Sequence, residues 1–184
     1  DPSAHPGLPE KVVAMRQILR EELTTQDLHG LIVPFEPGTY NVEATVIENL
    51  LFGNARTPAL MAGAITTNAY FRQVLDNQGL GDRLFAMGME IARNAIELFS
   101  DLPPDHPFFQ QLTFMTADDI PSYQILLQKL DSSSAVVSET DRADMIRLSF
   151  DYVEPRHRFG LLTDDLMAAI VACRGAFHDG NFTW

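Results

Sequence analysis

Five histidines, His5, His29, His106, His157 and His178, are the first residues to weigh for chemistry. Two imidazoles on one helical face need a spacing such as H-E-x-x-H, and none of the five has it. A cysteine-rich metal site is excluded, because Cys173 is the single cysteine. Two carboxylate pairs, Asp118/Asp119 and Asp164/Asp165, have the composition for general acid and base work. Both fall in the first turn of predicted helices, where exposed N–H groups favour anions, so they read as helix starts. Cys173 lies on an apolar helical stripe without an activating neighbour and reads as a small core residue. The serines occur without a G-x-S-x-G elbow. Asp151 and His157 are left as the pair for a small hydrolase, the weakest of the functional readings. Glu154-Pro155-Arg156-His157-Arg158 is a locally cationic stretch, whose arginines are expected to pair with carboxylates of the same domain rather than of a partner.

Phosphate chemistry can be tested directly. A P-loop needs a glycine loop followed by Lys and Ser/Thr, because backbone N–H groups cradle the phosphates while the lysine neutralises them. Lys11 follows Glu10 and Lys129 follows Gln128, and no Gly-Gly dipeptide is present. The chain therefore carries no complete P-loop. A net charge of -12 and a pI of about 4.6 argue against nucleic acid and anionic membrane surfaces, which call for basic patches.

The elements that would position these residues are mostly helices. A length of 184 residues suits one domain, here expected over 1–184. No apolar run approaches the roughly 20 residues of a membrane span. The polar start, Asp1-Pro2-Ser3-Ala4-His5-Pro6, has no signal-peptide pattern, and the missing initiator Met is read as that of a fragment or of a processed N-terminus. Val12, Met15, Leu19 and Leu23 predict an amphipathic helix over 9–25. Leu31-Ile32-Val33, stopped by Pro34, predicts an extended or β segment near 31–35. Asn41 is the expected N-cap of a helix reaching Phe52, with Gly53 at C′. Thr57-Pro58 opens a predicted helix over 58–66, and Thr67 or Asn68 caps another ending at Gly79. Asp82 is expected to cap a helix over 83–100. Its polar residues form a narrow stripe, so it is the predicted centre of the bundle. Phe108 and Phe109 are expected to plug the core after Pro103, Pro104 and Pro107. Thr116 begins a capping box for a helix to Leu130, bent at Pro121. Ser138 starts a helix to Arg147, 150–158 is irregular, and Thr163 caps a last helix ended by Gly180. Leu166, Ile170, Cys173 and Phe177 are its buried stripe. The fold class is mainly α, an irregular helical bundle with a minor extended segment.

One stretch, Gly30 to Gly53, carries a pattern beyond secondary structure. Thr45, Val46, Glu48, Asn49, Leu50, Phe52 and Gly53 match the type Thr-[Ile/Val]-x-Glu-Asn-[Ile/Leu]-x-[Phe/Tyr]-Gly. The segment resembles the part of ATP-binding cassette (ABC) transporter ATPases that follows the glutamine-containing Q-loop. Val33-Pro34-Phe35-Glu36-Pro37 is similar to the Val-Pro-Gln-Glu-Pro form of that loop. Phe35 stands where the glutamine would be, and the spacing from Pro34 to Thr45 is longer than in exporters. Most of the chain resembles the helical insertion of a bacterial subgroup of large ABC transporter ATP-binding proteins. Three patterns carry this likeness: Phe35-Glu36-Pro37 with Tyr40-Asn41; Leu98-Phe99-Ser100-Asp101-Leu102-Pro103-Pro104 with His106-Pro107-Phe108-Phe109; and Arg156-His157-Arg158-Phe159-Gly160-Leu161.

The resemblance implies a non-catalytic region that couples or modulates an ATPase cassette. The Walker and signature motifs would lie outside this chain. ATP and magnesium would then belong to the parent protein, and no catalytic, cofactor-binding or metal residue is expected here. The implied partners are the remainder of the cassette and a transmembrane domain, at the cytoplasmic face of the inner membrane. No nucleic acid and no direct membrane insertion are expected. Phe35, Glu36, Tyr40, Asn41, Glu48 and Asn49 form the expected cassette-contact surface. The alternative is a free-standing acidic helical adaptor that binds another protein through an apolar groove.

Overall fold

The computed structural model describes residues 7–26, 28, 36–51, 54–55, 65–103, 106–107, 109, 115–132, 136–178 and 182–183. Its contacts divide the chain into two compact units, Asp1–Glu36 and Pro37–Trp184, and the division falls inside the Gly30–Gly53 stretch.

The first unit contains helix α1, Leu8–Thr25, with proline and Glu10 in its first turn and Gly7 at the N-cap. Proline is tolerated there because its missing N–H would have no intrahelical partner. The predicted stripe is helical but mostly uncovered: Val12, Met15 and Leu19 are exposed, and Leu23 is half-buried. The extended segment expected near 31–35 lies outside the described residues.

The second unit is mainly helical. Its helices are α2 (Val46–Leu50), α3 (Ala69–Asn77), α4 (Gly81–Phe99), α5 (Ile120–Asp131), α6 (Glu139–Phe150), α7 (Glu154–His157) and α8 (Asp164–His178). Short 3-10 turns cover Ile65–Thr67 and Ala117–Asp119, the second running into α5. A minimal antiparallel pair, β1 (Asn54–Ala55) and β2 (Phe182–Thr183), sets Asn54 opposite Thr183 and Ala55 opposite Phe182. Most of the predicted 58–66 helix, together with Phe108 and Gly180, lies outside the described residues.

Local side-chain chemistry sets the helix starts. Asn68 accepts the Phe71 N–H, and Thr163 accepts the Leu166 N–H at 3.2 Å. Ser138 with Asp141, and Thr116 with Asp119, form reciprocal capping boxes, each satisfying donors that a helix start leaves exposed. Three predicted starts or bends differ. Leu80, not Asp82, is the N-cap of α4, and Asp82 sits in the first turn paired with Arg142 at 2.8 Å. Helix α2 begins after Thr45 rather than Asn41, because Asn41 accepts the Glu43 N–H in a local turn. Pro121 falls in the first turn of α5 rather than inside the helix, where its missing N–H has no intrahelical partner to lose.

Helix α4 is the centre of this unit, as its composition predicts. Leu84, Met87, Ile91, Ala92 and Ala95 are buried, while Glu90 and Glu97 face solvent. The crossing with α6 is very close at Gly88. A Cβ placed there would lie 1.8 Å from the Met145 carbonyl oxygen, so glycine is what lets the two backbones meet. Around this crossing the core includes Phe71, stacked on Phe177 at 5.1 Å and edge-on to Phe150 at 5.7 Å. Phe109 is half-buried against Phe99 at 5.7 Å. Leu98, although apolar and outside the helix's polar stripe, is exposed.

Candidate functional site

The segment that carries the family-like pattern is tied together by its own polar side chains. The Glu48 N–H donates to Thr45 Oγ1 at 3.2 Å, and the Thr45 N–H donates back to Glu48 Oε2 at 2.8 Å. This reciprocal pair lets a helix as short as α2 form. Asn49 is buried and satisfies its amide completely within the segment and with α8. Its Nδ2 donates to the carbonyls of Asn41 at 2.9 Å and Thr45 at 3.0 Å. Its Oδ1 accepts the Asn41 N–H at 2.8 Å and Arg174 Nη2 at 3.1 Å.

Arg174 is the residue that the sequence reading missed. Its guanidinium, on α8, is buried, with 2% of the residue exposed. Nε donates to the Asn49 carbonyl at 2.6 Å. Nη1 donates to the carbonyls of Pro37 at 3.0 Å and Thr39 at 3.3 Å. A planar fork with several fixed donors can hold diverging carbonyls in this way, and a lysine ammonium cannot match that geometry. Burial lowers the Arg174 pKa, with Tyr40 opposing. The Val46 N–H completes the frame by donating to the Tyr152 carbonyl at 3.3 Å. One sequence signal could have found Arg174: it is the only charge within the run from Ala168 to Phe177.

Of the expected contact surface, Tyr40, Asn41, Glu48 and Asn49 come together in the second unit. Asn41 and Glu48 are exposed, whereas Asn49 is buried and serves the frame. Glu36 belongs to the first unit, and Phe35 lies outside the described residues. The buried Tyr40 hydroxyl has no hydrogen-bond partner among the described residues. Desolvation raises its pKa, with Arg174 and the nearby Asn49 amide opposing. Beside Tyr40 runs a shallow open groove of about 500 Å³, lined by Gly38, Val42, Met167, Ala168 and Val171, with Asp164 also on its wall.

A second polar constellation lies at 152–162. Glu154 Oε1 accepts the Gly160 N–H at 2.8 Å. Its Oε2 accepts the Leu161 N–H at 3.0 Å, the Leu162 N–H at 3.2 Å and the Tyr152 hydroxyl at 2.9 Å. Desolvation pushes the Glu154 pKa up, but these donors outweigh it and the net shift is downward. His157 Nδ1 accepts the Val153 N–H at 3.0 Å, and its ring lies against Tyr152. Burial first, then the Arg156 charge, lowers its pKa. The His157 proposed for hydrolysis thus spends Nδ1 on the backbone. Contrary to the sequence expectation, neither Arg156 nor Arg158 has a carboxylate partner among the described residues.

His5 and His29 lie outside the described residues, whereas Cys173, Asp119 and Asp165 take structural places. Cys173 is fully buried, and desolvation pushes its thiol up to about 12. Asp119 closes a capping box, and Asp165 pairs with Arg83 at 2.6 Å. Among the described residues no group of three His, Cys, Asp or Glu converges as a metal site. No described helix is long and apolar enough to cross a membrane. No family model, curated protein or solved structure matches the chain.

Proposed function

We propose that the chain is a non-catalytic helical region of an ABC transporter ATP-binding protein, coupling or modulating the ATPase cassette. The observation that carries this reading is the construction of the Asn41–Leu51 segment. Thr45, Glu48 and Asn49, which carry the resemblance, are also the residues that give the segment its shape, through the capping box and the buried amide. The exposed Asn41 and Glu48, with Tyr40 and the groove beside it, would face the remainder of the cassette or its transmembrane partner. ATP and magnesium would be bound by the parent protein, at the cytoplasmic face of the inner membrane.

Calorimetric titration of ATP and magnesium into the isolated chain tests the division of labour. No saturable micromolar signal is expected, and such a signal would overturn it. The surrounding reading frame supplies the second test: a G-x-x-x-x-G-K-[ST] upstream and a signature motif downstream are expected.

A free-standing acidic adaptor is the second reading, favoured by the uncovered apolar stripe of α1 at Val12, Met15 and Leu19. A reading frame lacking both motifs would select it.

A further inference from the structure

Within the described part of Pro37–Trp184, most cations are already engaged. Arg72 pairs with Glu139, Arg83 with Asp165, Arg93 with Glu90 and Asp131, Lys129 with Asp141, and Arg142 with Asp76 and Asp82. Arg147 donates to the Tyr123 hydroxyl at 3.0 Å, and Arg174 is buried among carbonyls. Arg156 and Arg158 are the exception. Both are exposed, and the side-chain bond recorded for either is Arg158 Nε to the Pro155 carbonyl at 3.2 Å. In a chain of net charge -12 they are exposed cations with no carboxylate partner among the described residues.

The pair is held rigidly. The Glu154 carboxylate gathers the Tyr152 hydroxyl and three main-chain N–H groups, fastening both ends of the hairpin that carries the arginines. Arg158 itself has φ 58°, a left-handed helix-end position that glycine or asparagine takes more readily. An arginine kept there brings a cation to the surface at a conformational cost.

We propose that the Arg156–Arg158 hairpin is a docking point for a carboxylate-bearing surface of another protein. Guanidinium forks match carboxylates bidentately, and a preorganised pair loses little freedom on binding. The acidic remainder of the chain repels such a partner elsewhere, so the hairpin fixes where and in which orientation it lands. A phosphate ligand is disfavoured, because the N–H groups of Gly160, Leu161 and Leu162 that could cradle it already serve Glu154. A nucleic acid is disfavoured too, because its phosphate backbone calls for an extended basic patch rather than two arginines. The docking point does not depend on the transporter reading.

The test is an NMR titration of the chain with a blocked tetraglutamate peptide at low salt, with inorganic phosphate in a parallel series. Saturable shifts confined to the amides of 153–162 are expected with the peptide, weakened about tenfold in the R156Q/R158Q variant. Phosphate is expected to produce no saturable shift. R158G serves as a second variant: it relieves the left-handed backbone, so its melting temperature should hold or rise while peptide binding falls. Absent peptide shifts, unchanged binding in either folded variant, or phosphate saturating the same amides would each overturn the proposal.

Discussion

Arg174 shows how one side chain can set the conformation of a distant segment. It bonds a carbonyl 125 positions earlier in the chain and bridges Pro37, Thr39 and Asn49. Replacing it with methionine keeps much of the apolar stem but leaves buried carbonyls without donors. The expected loss for R174M is about 3 kcal/mol, since hydrogen bonds to charged groups contribute about 1.5–3 kcal/mol each and orphaned acceptors add to the cost. Urea unfolding measures the loss, and hydrogen exchange should quicken first at the amides of 41–51. R174K should recover only part of the stability. Glu48 and Asn49 entered the sequence reading as motif and contact residues only; their bonds at spacings of three to eight residues were there to be read, but the competing cap at Asn41 hid them. Arg174 was not foreseen, because three of the bonds it makes go to main-chain carbonyls, which leave no mark on residue identity, and its side-chain partner Asn49 is 125 positions away. The arginines of the 156–158 stretch were visible as a charge cluster. That they have no carboxylate partner among the described residues could be seen only in three dimensions.

Helices in this chain are readable where a side chain next to the start decides it. Asn68, Thr116, Ser138 and Thr163 each cap where expected. The α2 start was misplaced because Asn41 and Thr45 are both competent caps, and only Thr45 has a glutamate three positions on. The α6 capping box carries a pH signature. Asp141 is held down to about 2, first by its bond with Lys129 and then by Ser138. A depressed carboxyl pKa contributes stability above the unfolded value of 3.8, which is lost as pH falls towards about 2. D141N should therefore flatten the acid limb of the stability curve in that window, read from urea midpoints at successive pH values. The α4–α6 crossing makes a sharper demand. Because an added methyl at Gly88 would sit 1.8 Å from the Met145 carbonyl, G88A must force the helices apart. A loss of at least about 2 kcal/mol is expected, with a lowered thermal midpoint, although alanine is the better helix former in isolation.

At the scale of the whole molecule, composition indicated a mainly helical fold with a central apolar helix, and that is what the second unit is built on. The short strand pair could not be foreseen, since two-residue strands have no periodicity and their partners are far apart in sequence. Yet this pair has a consequence for how the molecule could sit inside a larger one. The chain passes outward through Asn54–Ala55 and comes back antiparallel through Phe182–Thr183, so departure and return share one doorway. What lies between is not self-contained, because α2 comes before the doorway and is still pinned from beyond it: Arg174 holds the Asn49 carbonyl, and the Val46 N–H donates to the Tyr152 carbonyl. A host whose backbone ran past that doorway would have to take in the segment from Pro37 to Leu51 together with the helices that follow it, because neither keeps its buried partners without the other.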